Sequence, residues 1–228
     1  MPKIIEDPLF SVVIDPNSKQ VNPDLAIWNA MHLCVDGGSA GNVNTCSDPV
    51  DAVVRHALKF GHWDVLHHAS IKLDFRGFPH DTAMQMRTHR QSAVLVQSMR
   101  YSDERFSLCA DGELDPNELF YFSPNCDQIS AIANEAKARR SCEDYSREIS
   151  RGIKKEDARR YLLAGYRQNF TISATFCQWF HIFDRRLLAD TQIEAQTACW
   201  MAIDCLRSYS QFFEWYRVNR AGRNLLAP

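Results

Sequence analysis

The stretch Gln85–Tyr101, QMRTHRQSAVLVQSMRY, decides how the rest of the chain is read. It crowds Arg87, His89, Arg90 and Arg100 together with the neutral hydrogen-bonding residues Gln85, Ser92, Gln97 and Ser98. In its middle, Ala93-Val94-Leu95-Val96 is a short apolar run that fits a buried strand or a helix segment. Polar clusters on both sides of an apolar anchor suit a phosphorylated planar ligand. Arginine forks bind phosphate through two parallel hydrogen bonds, while hydroxyls and amides fix the orientation of a ring. A surface helix of solvated arginines is the plain alternative, but here the basic residues bracket the apolar run.

Length and composition agree with an enzyme-sized globular unit. The chain has 228 residues, 45% hydrophobic and 24% charged, enough for a sizeable core within one domain, residues 1–228. Its 26 basic and 28 acidic residues leave a net charge of -2, so no global field recruits a nucleic-acid polymer or an acidic membrane. No apolar run approaches a membrane span, and the first residues lack a basic-then-apolar leader. The expected location is therefore cytoplasmic. Eight scattered cysteines without a C-x-x-C pair read as reduced thiols, with no disulfides expected.

Working outward, Leu9–Ile14 reads as a strand ended by Asp15-Pro16-Asn17, and Leu25–Leu33 as a helix. Gly37–Asn42 reads as a loop, and Ser47-Asp48-Pro49 opens a helix that Gly61 ends. Ser70–Arg76 alternates like a strand, Gly77-Phe78-Pro79 reads as a turn, and Pro79 starts a helix that runs into the opening stretch. Asp111-Gly112 and Asp115-Pro116-Asn117 mark a loop. Ile129–Gly152 is a long charged helix, a further helix begins at Lys155, Gln168–Thr175 is extended, and Phe176–Arg186 and Thr191–Val218 are two closing helices. The sum is α+β: a mixed or antiparallel sheet with flanking helices and a helical C-terminal half.

The residues also carry a resemblance. Thr88-His89-Arg90, seven residues, Ser98 and then Arg100-Tyr101 resembles the signature of flavin-dependent thymidylate synthases, whose usual first residue is arginine. A second block, Arg186 followed by Gln192 and Glu194, resembles that family's second signature, and as local structure it is also a helix start capped by Asp190 or Thr191. Ala158-Arg159 resembles a nucleotide-binding pair, with Arg160 as the neighbouring candidate. Phe60-Gly61-His62 with His68 resembles a loop near the flavin, where Asp64 and His67 depart from the pattern.

The resemblance implies a homotetramer with shared active sites that converts dUMP to dTMP, using FAD, NADPH and methylenetetrahydrofolate. It assigns dUMP to Gln85, Arg87, Thr88, Gln97, Ser98, Met99, Arg100, Arg159 and Arg186. Arg186 activates the base, because a guanidinium keeps its protons and can stabilise charge developing on a ring carbonyl. It assigns FAD to His62, Asp64, Thr88, His89, Arg90, Val96, Thr175, Cys177 and His181, with no metal. Val96, Thr175 and Cys177 stand where the family commonly has polar residues, so a relative that hydroxymethylates dUMP is an alternative.

Two further readings belong beside it. His62, His67, His68, His80-Asp81, His89 and Asp190 could serve a His-Asp metal phosphohydrolase; but His67 and His68, read as strand neighbours, would point to opposite faces. A non-catalytic nucleotide-binding protein would keep the phosphate site alone.

Overall fold

The structure, a computed structural model, describes residues 4–36, 46–123 and 127–225; the expected Gly37–Asn42 loop lies outside them. The fold is α+β. Four strands, β1 (Ser11–Ile14), β2 (Ser70–Pro79), β3 (Ala93–Val96) and β4 (Arg167–Thr175), form one sheet in the order β1-β2-β4-β3. Every pairing is antiparallel. β2 and β4 are the two central strands, and their alternation is what makes them legible. Ile71, Leu73 and Phe75 of β2 and Phe170, Ile172 and Ala174 of β4 turn into the core, while Ser70 and Ser173 are exposed. Phe75 pairs with Phe170 and the rings stack at 4.7 Å, a cross-strand contact contributing about 0.5–1.5 kcal/mol beyond its burial.

Gly77-Phe78-Pro79 is not a turn. The strand continues through it with a bulge between Phe75 and Phe78, and Phe78 and Pro79 pair with Gln168 and Arg167. Gly77 takes φ +76°, and a Cβ there would collide with the carbonyl of Leu9, so glycine serves close approach as well as conformation. The strand ends at Pro79, where α3 (His80–Arg87) begins.

Around the sheet lie α1 (Pro23–Asp36), α2 (Pro49–His56), α8 (Phe176–Arg186), α9 (Ile193–Leu206) and α10 (Gln211–Asn219). α8 follows β4 directly. It starts with a capping box: the Thr175 hydroxyl accepts from Gln178 N–H while the Gln178 side chain accepts from Thr175 N–H. Its buried face, with Trp179, Phe180 and Phe183, lies in the main core, and Trp179 Nε1 donates to the Ile71 carbonyl at 3.2 Å. α8 is thereby fixed to β2. The expected single helix Thr191–Val218 is two, α9 and α10, because Ser210 caps α10 and its hydroxyl also bonds Asp24 of α1.

A second core gathers α4 (Glu104–Ala110), α5 (Pro116–Leu119) and α6 (Gln128–Ser150) around Phe106, Cys109, Phe120, Cys142 and Tyr145. α4 was not expected, and Asp115-Pro116-Asn117 opens a short helix capped by Asp115 rather than a loop. α7 (Lys155–Ala158) follows, then a 3-10 turn over Arg159–Tyr161. His67 and His68 lie in a 3-10 segment, Trp63–His68, not on a strand, which removes the opposite-faces argument. Among the described residues, no group of three or more His, Cys, Asp or Glu is placed to hold a metal ion. Among them also, no helix is long and apolar enough to cross a membrane.

Candidate functional site

The end of α3 and the end of α8 meet. Arg186, in the last turn of α8, sends Nε to His89 Nε2 at 2.9 Å, across 97 residues of chain. Its second guanidinium nitrogen reaches the Gln85 carbonyl and the Thr88 hydroxyl, both at 2.8 Å. Thr88 in turn donates to the Gln85 carbonyl at 2.7 Å. The hydroxyl at position 88 thus accepts from one partner and donates to the other. An arginine there could donate to the carbonyl but could not accept from Arg186, since guanidinium has no acceptor; this gives the threonine a physical reason.

All three acceptors on Arg186 are neutral. Among the described residues no carboxylate pairs with it. The Cys199 thiol, which interacts electrostatically with Arg186, is pushed up to about 12 by burial and so carries no charge near neutrality. The positive charge of Arg186 is therefore left uncancelled, while burial lowers its pKa from the ordinary arginine value.

His89 is forced to be neutral. Burial first, then the charges of Arg186, His181 and Arg185, bring its pKa down to about 4. Arg186 is a donor only, so His89 Nε2 must be the bare nitrogen and Nδ1 carries the proton. The ring of His181 stands edge-on to it at 5.8 Å.

Beside this junction is a cleft of about 350 Å³ lined by Thr88, His89, Arg90, Gln91, Ser92, Gln178, His181 and Ile182. Gln178 and His181 sit three apart on α8 and face it together, a spacing the sequence did contain. Arg87 and Arg90 are exposed, with no ion pair among the described residues.

A second group of assigned residues converges elsewhere. Arg100 approaches Glu156 at 3.8 Å, and Arg100 and Arg159 are among the charges that hold Glu156 below its ordinary pKa, after its backbone hydrogen bond. Two arginines distant in sequence thus gather at one half-buried carboxylate, with Ser98 accepting the Arg100 N–H at 3.3 Å. Arg160 instead pairs with Asp157 at 3.2 Å. The Met99 side chain is buried in the second core, so only its backbone is free to meet a ligand. Gln97 is engaged with β4: its side-chain oxygen accepts from Asn169 N–H and its carbonyl from Gln168.

The third group surrounds the start of α8. Thr175 spends its hydroxyl on the cap and on His67 Nδ1 at 2.9 Å. The Cys177 thiol is buried and pushed up to about 11, by burial and then by Asp64. It is an inert thiol facing the core, not one poised toward a ligand. His62 and Asp64 stay exposed beside it, and Val96 packs half-buried against the main core.

Sequence reasoning missed a chain of side chains behind Arg186. Gln192 does not serve as a side-chain cap for α9, nor do Asp190 and Thr191 occupy the capping position. The Gln192 amide bridges instead: its oxygen accepts from Gln85 Nε2, and its nitrogen donates to Asp81 Oδ2 at 3.1 Å.

An antiparallel sheet flanked by helices defines an α+β protein, and its charged guanidinium is held among neutral acceptors beside a polar cleft. The chain matches the family described as thymidylate synthase complementing protein over residues 18–209, and it belongs to that family. The flavin-dependent thymidylate synthase of Halobacterium salinarum is 28% identical over 204 residues, 81% of this chain and 83% of that one. That of Haloarcula marismortui is 26% identical over 200 residues, 78% and 80%. Among solved structures, thymidylate synthase X from Helicobacter pylori with FAD and dUMP superposes with a TM-score of 0.69 at 16% identity, covering 90% of this chain and 96% of that one. A UMP/dUMP methylase from Streptomyces cacaoi bound with 5-Br dUMP gives 0.74 at 16% identity, covering 99% and 100%.

Proposed function

We propose that the chain is a flavin-dependent thymidylate synthase, one domain per subunit, that reductively methylates dUMP to dTMP in the cytoplasm as a homotetramer. The observation that carries this reading is the direct bond between the two signature blocks, Arg186 to His89. Relatives named flavin-dependent thymidylate synthase support it.

The donor set fits part of a flavin dinucleotide. The cleft offers a cation in Arg90, hydroxyls in Thr88 and Ser92, amides in Gln91 and Gln178, a neutral imidazole and the apolar face of Ile182. These suit a pyrophosphate and a flat, polar-edged ring. At about 350 Å³ the cleft holds only a portion of FAD, so the remaining surface comes from neighbouring subunits. When bound and recharged by NADPH, the flavin supplies hydride, and methylenetetrahydrofolate supplies the carbon.

The protein's share is binding and electrostatics. Arg186 places an uncompensated positive charge on a pyrimidine carbonyl, where negative charge grows as the ring is activated. His89, Thr88 and the Gln85 carbonyl hold that guanidinium in place before substrate arrives, so little reorganisation remains to be done. Arg100, Arg159 and Ser98 take the nucleotide phosphate, displacing Glu156 from the arginines.

Val96 and the buried Cys177 support a second reading, in which the transferred group or the pyrimidine nucleotide differs, as in hydroxymethylation of dUMP. One experiment covers both. Purified protein is mixed with FAD, its visible spectrum recorded, and NADPH, methylenetetrahydrofolate and dUMP are then added for mass analysis of the nucleotide. Bound flavin with dTMP formed is the expected result, and hydroxymethylated product selects the second reading. A protein that binds no flavin yet hydrolyses nucleotides with Mn²⁺ would be a phosphohydrolase.

A further inference from the structure

We propose that Asp81 is a positioning residue that sets, through Gln192, the polarity of the Gln85 amide, so that the site reads the imide N–H of uracil and rejects cytosine. The inference rests on the pyrimidine-nucleotide reading of the site and adds to it the device that selects the base.

The geometry runs from one carboxylate to one oxygen. Asp81, in the first turn of α3, accepts the Thr82 N–H on Oδ1 at 2.7 Å and the Gln192 Nε2 on Oδ2 at 3.1 Å. A carboxylate has no proton to donate, so the Gln192 amide can present only its nitrogen to Asp81. Its oxygen must then face Gln85, which answers with Nε2. This in turn leaves Gln85 Oε1 as the side-chain atom available to a ligand; among the described residues no donor is bonded to it. An amide is normally ambiguous because its two ends differ little in size. Here two amides in series are resolved by a charge at the far end.

The residue that carries this acceptor also holds the base-activating group, since Arg186 is bonded to the backbone oxygen of the same Gln85. A guanidinium donor next to an amide acceptor matches a ring carbonyl next to an N–H, which is the imide edge of uracil. With Arg186 on a ring carbonyl, cytosine would set its bare N3 against Gln85 Oε1, acceptor against acceptor. A site whose acceptor awaits an N–H disfavours the analogue without one, because acceptor then faces acceptor and the bond is lost.

Asp81→Asn makes a directional test. Thr82 N–H keeps the Asn oxygen on its side, so the new amide nitrogen replaces Oδ2 and donates to Gln192. Both glutamines then reverse, and Gln85 offers N–H where it offered oxygen. Calorimetric titration of the FAD-loaded protein with dUMP, dCMP and N3-methyl-dUMP reads the result. The wild type should prefer dUMP over both other nucleotides by about tenfold or more, and Asp81→Asn should lose that preference over dCMP while its affinity for dCMP rises. A merely structural role would weaken both nucleotides together. An unchanged dUMP-to-dCMP ratio in the folded variant overturns the proposal. Should the variant not fold, the wild type alone decides, because equal affinity for dUMP and N3-methyl-dUMP also overturns it. A wild type that binds dUMP and dCMP alike defeats the relay while leaving the pyrimidine-nucleotide reading standing. A wild type that binds no pyrimidine nucleotide defeats both.

Discussion

A buried arginine and a half-buried one are treated in opposite ways in this protein. Arg167, at the start of β4, forms a two-pronged ion pair with Asp7 at 2.8 and 3.3 Å, with side-chain exposures of 9% and 12%. The same guanidinium donates to the carbonyls of Gly77 and Asn117 at 3.0 and 3.1 Å. It ties the N-terminal segment, the β2 bulge and α5 together with its charge cancelled. Arg186 makes three hydrogen bonds, and every acceptor is neutral. A charge that is cancelled holds structure; a charge that is positioned but left uncancelled is available for a ligand. The contrast distinguishes the two roles without reference to any relative.

Breaking the structural arginine gives the largest expected effect. Arg167→Ala leaves Asp7 unpaired in a dry site and should lower stability by about 3–5 kcal/mol in a denaturant titration. Arg186→Ala should cost far less stability, because no buried charge is orphaned. It should instead lower turnover on saturating dUMP by about a hundredfold, near 2.7 kcal/mol of transition-state stabilisation, with nucleotide affinity less affected. If Arg186→Ala turns over normally once dUMP saturates, the residue only binds. If it unfolds as readily as Arg167→Ala, the contrast between the two arginines is wrong.

Arg100 sharpens the comparison from a third position. It is exposed and carries a weak partner, Glu156 at 3.8 Å, so its removal should leave stability almost untouched. As a phosphate ligand it should contribute about 1.5–3 kcal/mol to dUMP binding, appearing as a raised KM with kcat nearly intact. Steady-state kinetics of Arg100→Ala beside Arg186→Ala should therefore fail in different parameters.

Much of this was legible in the sequence, and the exceptions share a cause. β2 declares itself by alternation, and β4 and α8 fall where the extended and helical readings of Gln168–Thr175 and Phe176–Arg186 put them, because those signals are local. Gly77-Phe78-Pro79 misled because Gly and Pro ordinarily mean a turn, whereas here they serve a bulge packed on Leu9. The break between α9 and α10 has no Gly or Pro to mark it; it is made by Asp24, far away in the chain, bonding Ser210. In the site, residue types and spacing marked Arg186, His89 and Thr88. No spacing told that Thr175 and Cys177 would be spent on a cap and on the core, or that Asp81 would stand behind Gln192. Those are tertiary facts, legible only once the chain is folded.

The smallest effect tests whether the neutral acceptors on Arg186 must stay neutral. His89 is brought down to about 4 from the ordinary 6.5, by burial and then by Arg186, His181 and Arg185. The unfolded chain therefore binds a proton between about pH 6.5 and 4 that the folded chain refuses. This contribution to stability is complete above about pH 6.5, declines as pH falls toward 4, and changes no further below that. Because the ring is partly exposed, solvent screening reduces it to about 1 kcal/mol. Protonation also turns His89 Nε2 from acceptor to donor, which breaks the Arg186 bond, so activity at saturating dUMP should fall with an apparent pKa near 4 rather than near 6.5. His89→Gln supplies the comparison, since an amide oxygen can accept from Arg186 at every pH without titrating. The difference between wild type and His89→Gln, in both unfolding free energy and turnover across pH 4 to 7, isolates this one ring from the carboxylates that titrate in the same range. An unfolding-free-energy difference that is flat with pH would mean that the ring titrates alike in the folded and unfolded chain, so that neither burial nor Arg186 holds it neutral. A turnover difference centred near 6.5 would mean that the imidazole titrates as if in water, and that the guanidinium beside it is not confined to neutral company.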